Sequence, residues 1–411
     1  MSVQLHIDNV SDIDHTTFRP GQTIRGSVKY KIAKQRTIQN ATLKLEGSLK
    51  AEYIPVQQNN SALVLMQGPR RPNKLRLSLF EHNTKLFDGP YDVPPQEFVW
   101  PFEFTIPSTT EDSLSGQVMG GDGCGIELPP TYNWHHQSIA HTVHAEISYR
   151  LLVKIECSGL LKNDSLEQML TIGRQRSGSD FSAELKPRRH ELPPISWSSQ
   201  ELRSAERRLS LGQKFKSKVS KDPTLKAPTL SFTSAIYTPH AVEIDERFSI
   251  NFSLTHRRDS EHDPFEPTFV LSKLRLTWSE RTTMTMPKTG LFTHETRSSG
   301  EIILARREVD LGEQIDIPIE GHLIEIAKDI CIGTWLGKPG TSLPGDFDVQ
   351  VVQLGYRLAI ELEVKHIETG KIFRLATSCP IRLLDQASTE APDYRPESFT
   401  AEHHEQLPAY G

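Results

Sequence analysis

Two proline–tyrosine segments carry the residue types best suited to recognition chemistry in this chain. Pro129-Pro130-Thr131-Tyr132 matches the pattern Pro-Pro-x-Tyr in full, and Leu407-Pro408-Ala409-Tyr410 matches it with Leu in the first place. A WW domain grips such a segment because proline rings slot between aromatic side chains at little entropic cost, while the tyrosine fills a second pocket. Leu407, Pro408 and Tyr410 are the candidate WW-binding residues, set against the plain alternative of a chance Pro-Tyr pair in a polar tail.

A second group is cationic. Arg203 to Lys221 is dense in charge, and Arg207, Arg208, Lys214, Lys216 and Lys218 are candidate contacts to an anionic membrane surface, worth about 1 kcal/mol per well-placed cation. The same composition also reads as a solvated linker, which is what most charge runs are. Arg207-Arg208-Leu209-Ser210 offers a basophilic kinase pattern, in which phosphate on Ser210 cancels nearby positive charge.

Histidines gather at His135, His136, His141 and His144. His141 and His144 are three apart on an expected strand and so project to opposite faces; with no Cys pair nearby, the four read as surface or loop residues and no metal site is expected. No G-x-S-x-G elbow, H-E-x-x-H or Walker loop occurs, and the Gly120 to Gly125 run lacks the Lys-Ser/Thr that holds phosphate and magnesium. A non-enzymatic protein without cofactor is the expectation, although a carboxylate-pair hydrolase leaves no fixed spacing to look for.

The elements that must position these residues are strands. Val143 to Ile155 and Val352 to Val364 both carry Tyr-Arg-Leu at the centre, with apolar residues on every second position. That period places Tyr149, Leu151, Tyr356 and Leu358 on buried faces and Arg150 and Arg357 on outward ones. Finding the same strand late in both halves predicts a β-sandwich present twice. A length of 411 residues suits two domains with a linker and a tail.

Shorter runs fill in the halves. Ile24, Gly26, Val28, Tyr30 and Ile32 share one face of an expected strand, as do Leu43, Leu45, Leu49 and Ala51 of the next. Prolines bracket an expected strand in Trp100-Pro101-Phe102-Glu103-Phe104-Thr105-Ile106-Pro107, which keeps them out of the ladder. The second half offers Phe248, Ile250, Phe252 and Leu254, then Leu274, Leu276 and Trp278. The expected boundaries are a first domain over 1–172, a basic linker over 173–227 with a short helix within Gln200 to Val219, a second domain over 228–385 and a flexible tail over 386–411.

Charge and composition narrow the class. The net charge of -5 argues against a generally basic nucleic-acid binder. The chain opens without a secretory signal pattern, and no apolar run is long enough for a bilayer span, so an intracellular protein is expected. Its 4 cysteines are scattered without a C-x-x-C pair and read as reduced structural thiols.

In order along the chain, Pro20-Gly21-Gln22 before Gly26-Ser27-Val28, Leu43-Lys44-Leu45-Glu46-Gly47, the Trp100 to Pro107 run, Leu128-Pro129-Pro130-Thr131-Tyr132, Tyr356-Arg357-Leu358 and Cys379-Pro380-Ile381-Arg382-Leu383 resemble arrestin-like proteins, the α-arrestin branch in particular. The resemblance implies two immunoglobulin-like sandwiches joined by a short hinge. It implies a cytoplasmic adaptor, recruited to plasma membrane or endosomes, that links membrane proteins such as transporters or receptors to endocytic trafficking and to ubiquitin ligases bearing WW domains. It also implies that Pro129 to Tyr132 leads into a core strand, leaving the tail motif to do any docking. A sorting or assembly scaffold of the same fold, without ligase recruitment, is the alternative.

Overall fold

The computed structural model describes residues 2–8, 10, 16–55, 72–111, 126–158, 163–173, 187–203, 227–257, 267–287, 296–336, 343–349 and 351–384. The cations Arg207, Arg208, Lys214, Lys216 and Lys218, Ser210, the Gly120 to Gly125 run and the tail motif of Leu407, Pro408 and Tyr410 lie outside them.

Strands make up nearly all of the described structure. The first half contains β1 (Ser2–Ile7), β2 (Thr17–Phe18), β3 (Thr23–Lys31), β4 (Arg36–Pro55), β5 (Asn73–Val93), β6 (Glu97–Thr105), β7 (Tyr132–Gln137), β8 (His141–Cys157) and β9 (Asp164–Ile172). The second contains β10 (Arg188–Glu191), β11 (Ile195–Ser198), β12 (Thr229–Thr238), β13 (Ala241–Glu243), β14 (Arg247–Arg257), β15 (Phe269–Met286), β16 (Thr296–Ile317), β17 (Ile324–Cys331), a one-turn helix α1 (Ile332–Trp335), β18 (Phe347–Asp348), β19 (Val352–His366) and β20 (Ile372–Leu384).

The sheet order repeats strand for strand. β1-β3-β6 form one sheet and β2-β9-β8-β4-β5, with β7 on β8, form another; β12-β14-β17 and β13-β20-β19-β15-β16, with β18 on β19, reproduce both. Even the odd pairing recurs, since β2 runs parallel to β9 and β13 parallel to β20 within otherwise antiparallel sheets. The repeat is therefore a nine-strand unit, β1 to β9 and β12 to β20.

Each unit closes the apolar sides of its two sheets on a core. Tyr149, Leu151, Tyr356 and Leu358 are all buried, as alternation requires, and so are Ile24, Val28, Tyr30, Leu43 and Leu45. Phe232 of β12 stands 5.1 Å from Phe269 of β15 and 5.2 Å from Phe373 of β20, joining the sheets of the second unit. In the first unit Tyr30 of β3 donates to the Asp164 carboxylate at 2.7 Å, and that carboxylate also pairs with Arg36 of β4 at 2.7 Å. Gly47 separates two large rings: a Cβ there would lie 2.7 Å from Tyr149 and 2.9 Å from Phe80.

Two expectations change. Residues 173–227 are not all linker, because β10 and β11 pair with β12 and extend the second unit's smaller sheet. Polar strands such as Arg188-Arg189-His190-Glu191 suffice there, since an edge demands backbone pairing more than a buried face. Most of the short helix expected within Gln200 to Val219 lies outside the described residues, and its first residues, Gln200–Leu202, form a single 3-10 turn capped by the Ser199 hydroxyl. Pro101 does not bracket its strand but lies inside β6, where the outer edge of a three-stranded sheet needs no second ladder partner.

Candidate functional site

The Leu128-Pro129-Pro130 run is buried, and its backbone is anchored from two sides. The Tyr149 hydroxyl donates to the Pro129 carbonyl at 2.5 Å. The Thr131 amide donates to the Ile172 carbonyl at 2.7 Å, while the Ile172 amide donates to the Thr131 hydroxyl at 2.8 Å. A segment fixed in this way cannot adopt a free polyproline II conformation in a partner's groove. Its work is to aim β7.

Residues 132, 134 and 136 of β7 fall on one side of the strand, and that side lies on β15 and β16 of the second unit. Tyr132 donates to Glu280 at 3.1 Å, and its hydroxyl is 2.6 Å from that of Thr282. The Trp134 and His136 rings stack in parallel, 5.8 Å apart, and cover Gly300, where a Cβ would lie 3.0 Å from each. From β8, His141 Nε2 meets the Ser298 hydroxyl at 2.7 Å, with the Tyr53 ring stacked on it at 5.1 Å. The landing ground is thus small and hydroxylic, made by Thr282, Ser298 and Gly300.

Register explains why these residues meet. Thr282 pairs with Gly300 and Met284 with Ser298, so the three small side chains share one face of the β15–β16 ladder. On that same face runs Leu274, Leu276, Trp278, Glu280, Thr282 and Met284. Glu280 occupies a core-phase position, and this break in an apolar alternation is the signal in the sequence that marks the seam.

Burial pushes the Glu280 carboxyl above the ordinary carboxylate range, against the hydrogen bonds from Tyr132 and Thr282 that favour its charged form. Burial also raises the Tyr132 phenol, with the Glu280 charge adding to the effect. His141 moves down, first because it is buried and then because His136 is close. Tyr132 and His141 are therefore neutral at neutral pH.

The remaining histidines lie elsewhere. His144 points away from His141, toward Asn133 at 3.1 Å on the opposite side of the sheet, and His135 sits across from it. Among the described residues no group of three or more His, Cys, Asp or Glu side chains is placed to hold a metal ion. Charges on the outward faces pair with each other instead: Lys44 with Glu81 at 2.7 Å and Arg150 with Glu46 and Glu167 in the first unit, Arg275 with Glu308 and Glu361 in the second. Arg150 is thereby a structural cation.

Among the described residues no helix is long and apolar enough to cross a membrane. The chain matches no protein-family model and no curated protein.

Proposed function

We propose that the chain is a non-enzymatic adaptor of arrestin-like architecture, two immunoglobulin-like sandwiches that engage membrane-protein cargo from the cytoplasm and bring it to trafficking machinery at the plasma membrane or endosomes. The observation that supports this reading is the nine-strand unit present twice and clasped along β7, β15 and β16. A rigid pair of sandwiches offers long edges and loops for protein partners.

Ligase recruitment rests on Leu407, Pro408 and Tyr410, since the full Pro-Pro-x-Tyr match at Pro129 to Tyr132 is folded into the first unit. That burial favours a second reading as well, a sorting or assembly scaffold that recruits no ubiquitin ligase. The two separate cleanly in one experiment. Full-length protein, a form lacking 386–411 and a Tyr410→Ala form are each captured from cells and their partners identified. The adaptor reading expects ligases with WW domains to be lost from both altered forms while membrane-protein cargo stays. Retention of cargo with no WW-domain protein in any sample supports the scaffold, and absence of membrane-protein cargo from all three overturns both.

A further inference from the structure

The outer side of the β7–β8 hairpin carries a pair of imidazoles that the seam does not use. His135 and His144 are direct cross-strand partners, their rings 6.5 Å apart and inclined by 50°. Directly opposed residues of an antiparallel pair present their side chains on the same face, with Cβ atoms about 5 Å apart. This placement differs in kind from that of His141 and His144, which share a strand but not a face.

We propose that His135 and His144 together bind a divalent transition-metal ion of the zinc class, bridging β7 to β8. Imidazole nitrogen is the donor that zinc, copper and nickel share, and zinc–nitrogen bonds of about 2.0 Å bring two ligating nitrogens roughly 3.3 Å apart. His135 is exposed, so its ring swings toward His144 without disturbing a core.

One nitrogen of the His144 ring is already engaged by an oxygen. Its Nε2 faces the Asn133 side-chain oxygen at 3.1 Å. That contact calls for a proton on Nε2 and leaves the Nδ1 lone pair to a metal, the arrangement in which a ligating histidine hands its other N–H to an oxygen. Two carboxylates flank the pair: Glu52 of β4 stands opposite His144, and Glu146 is two residues along β8. Lys74 and Lys50 partner these carboxylates at 2.7 and 3.3 Å. The protein supplies two ligands, and water completes the sphere.

The ion would act on the hairpin's mechanics. Tyr132, Trp134 and His136 lie on the second unit from the hairpin's other side, so a bridge between His135 and His144 holds the docked strand against fraying.

Zn2+ titration of the full-length chain by calorimetry, with amide hydrogen exchange over residues 132–144, tests the proposal. His403→Gln with His404→Gln is the background, because that tail pair would otherwise bind in parallel. Zn2+ should slow exchange in the hairpin. Affinity should fall tenfold or more in His135→Gln and in His144→Gln, and about tenfold in Asn133→Ala. The double His135→Gln, His144→Gln variant should lose no more than either single one, since a shared ion needs both. Unchanged affinity in His135→Gln, or losses that add in the double variant, overturns the bridge. Circular dichroism of the metal-free His135→Gln protein, expected to match the parent, separates loss of a ligand from loss of fold.

Discussion

Tyr132 and Phe347 occupy the same place in the two nine-strand units and touch each other, ring edge to ring face, with centroids 5.2 Å apart. Each begins the short strand laid on the long Tyr-Arg-Leu strand, and each pairs with the residue two before that tyrosine, Ile147 in one unit and Leu354 in the other. The equivalent strands β4 and β15 also come into contact. Equivalent elements of the two units thus touch each other at these points.

The repeated tyrosines should fail alike. Tyr149 donates to the Pro129 carbonyl and Tyr356 to the Pro344 carbonyl, at 2.5 and 2.7 Å. Tyr149→Phe and Tyr356→Phe each strip a carbonyl of its donor, and urea unfolding should report a loss of about 1–3 kcal/mol for either. A neutral result for Tyr149→Phe would show that the Pro129 turn holds without its anchor.

Enlarging Gly300 should open the seam without unfolding the units. A Cβ there already meets Trp134 and His136 at 3.0 Å, and the rest of a leucine has no room. Gly300→Leu should raise the radius of gyration in small-angle X-ray scattering and speed hydrogen exchange along β7, with the strand content by circular dichroism unchanged. An unaltered scattering profile would mean that the contact is dispensable.

The seam should respond to pH in two opposed directions. Burial raises the Glu280 carboxyl, so the closed form holds that proton more tightly; its contribution to stability is full below the ordinary value of 4.5 and declines as pH climbs through the raised one. Burial lowers His141, so its contribution is full above the ordinary 6.5 and is lost as pH falls through the lowered value. Thermal melts of Glu280→Gln should therefore gain on the parent as pH rises above 4.5. Those of His141→Gln should gain on it as pH drops below 6.5. Curves parallel to the parent across both windows would contradict the assignment.

The buried ion pair of the first unit has no such reserve. Arg36 has a side chain only 1% exposed against 28% for Asp164. Asp164→Asn removes the carboxylate from a guanidinium already withdrawn from water, and denaturant unfolding should show about 3 kcal/mol lost. Replacing both, as Arg36→Met with Asp164→Leu, should restore part of it, because the desolvation cost goes with the charge.

Alternation makes half-buried strands legible, and β3, β4, β8, β14, β15 and β19 stand where Tyr30, Leu45, Tyr149, Phe252, Trp278 and Tyr356 place them. Edge strands obey weaker rules. The far part of β5 and the polar β10 bury few side chains, so their sequences carry little period. The seam lies a step further off, since Tyr132 and Glu280 are joined only once two sheets have formed and met. Glu280 still betrays itself as a carboxylate in an apolar phase, whereas Gly300 and Ser298 carry no mark in the sequence at all.

The edge-to-face contact of Tyr132 with Phe347 also shows what a repeat within one chain permits. Two separate, identical chains meeting in an isologous contact must present the same residue from both sides. Joining two such units in one chain releases them from identity at the point of contact. One unit carries a hydroxyl there and the other does not, while the position opposite the Tyr-Arg-Leu tyrosine is Gly47 in one and Glu280 in the other. The contact therefore joins two different side chains at equivalent positions, a combination that a pair of identical chains meeting symmetrically could not offer.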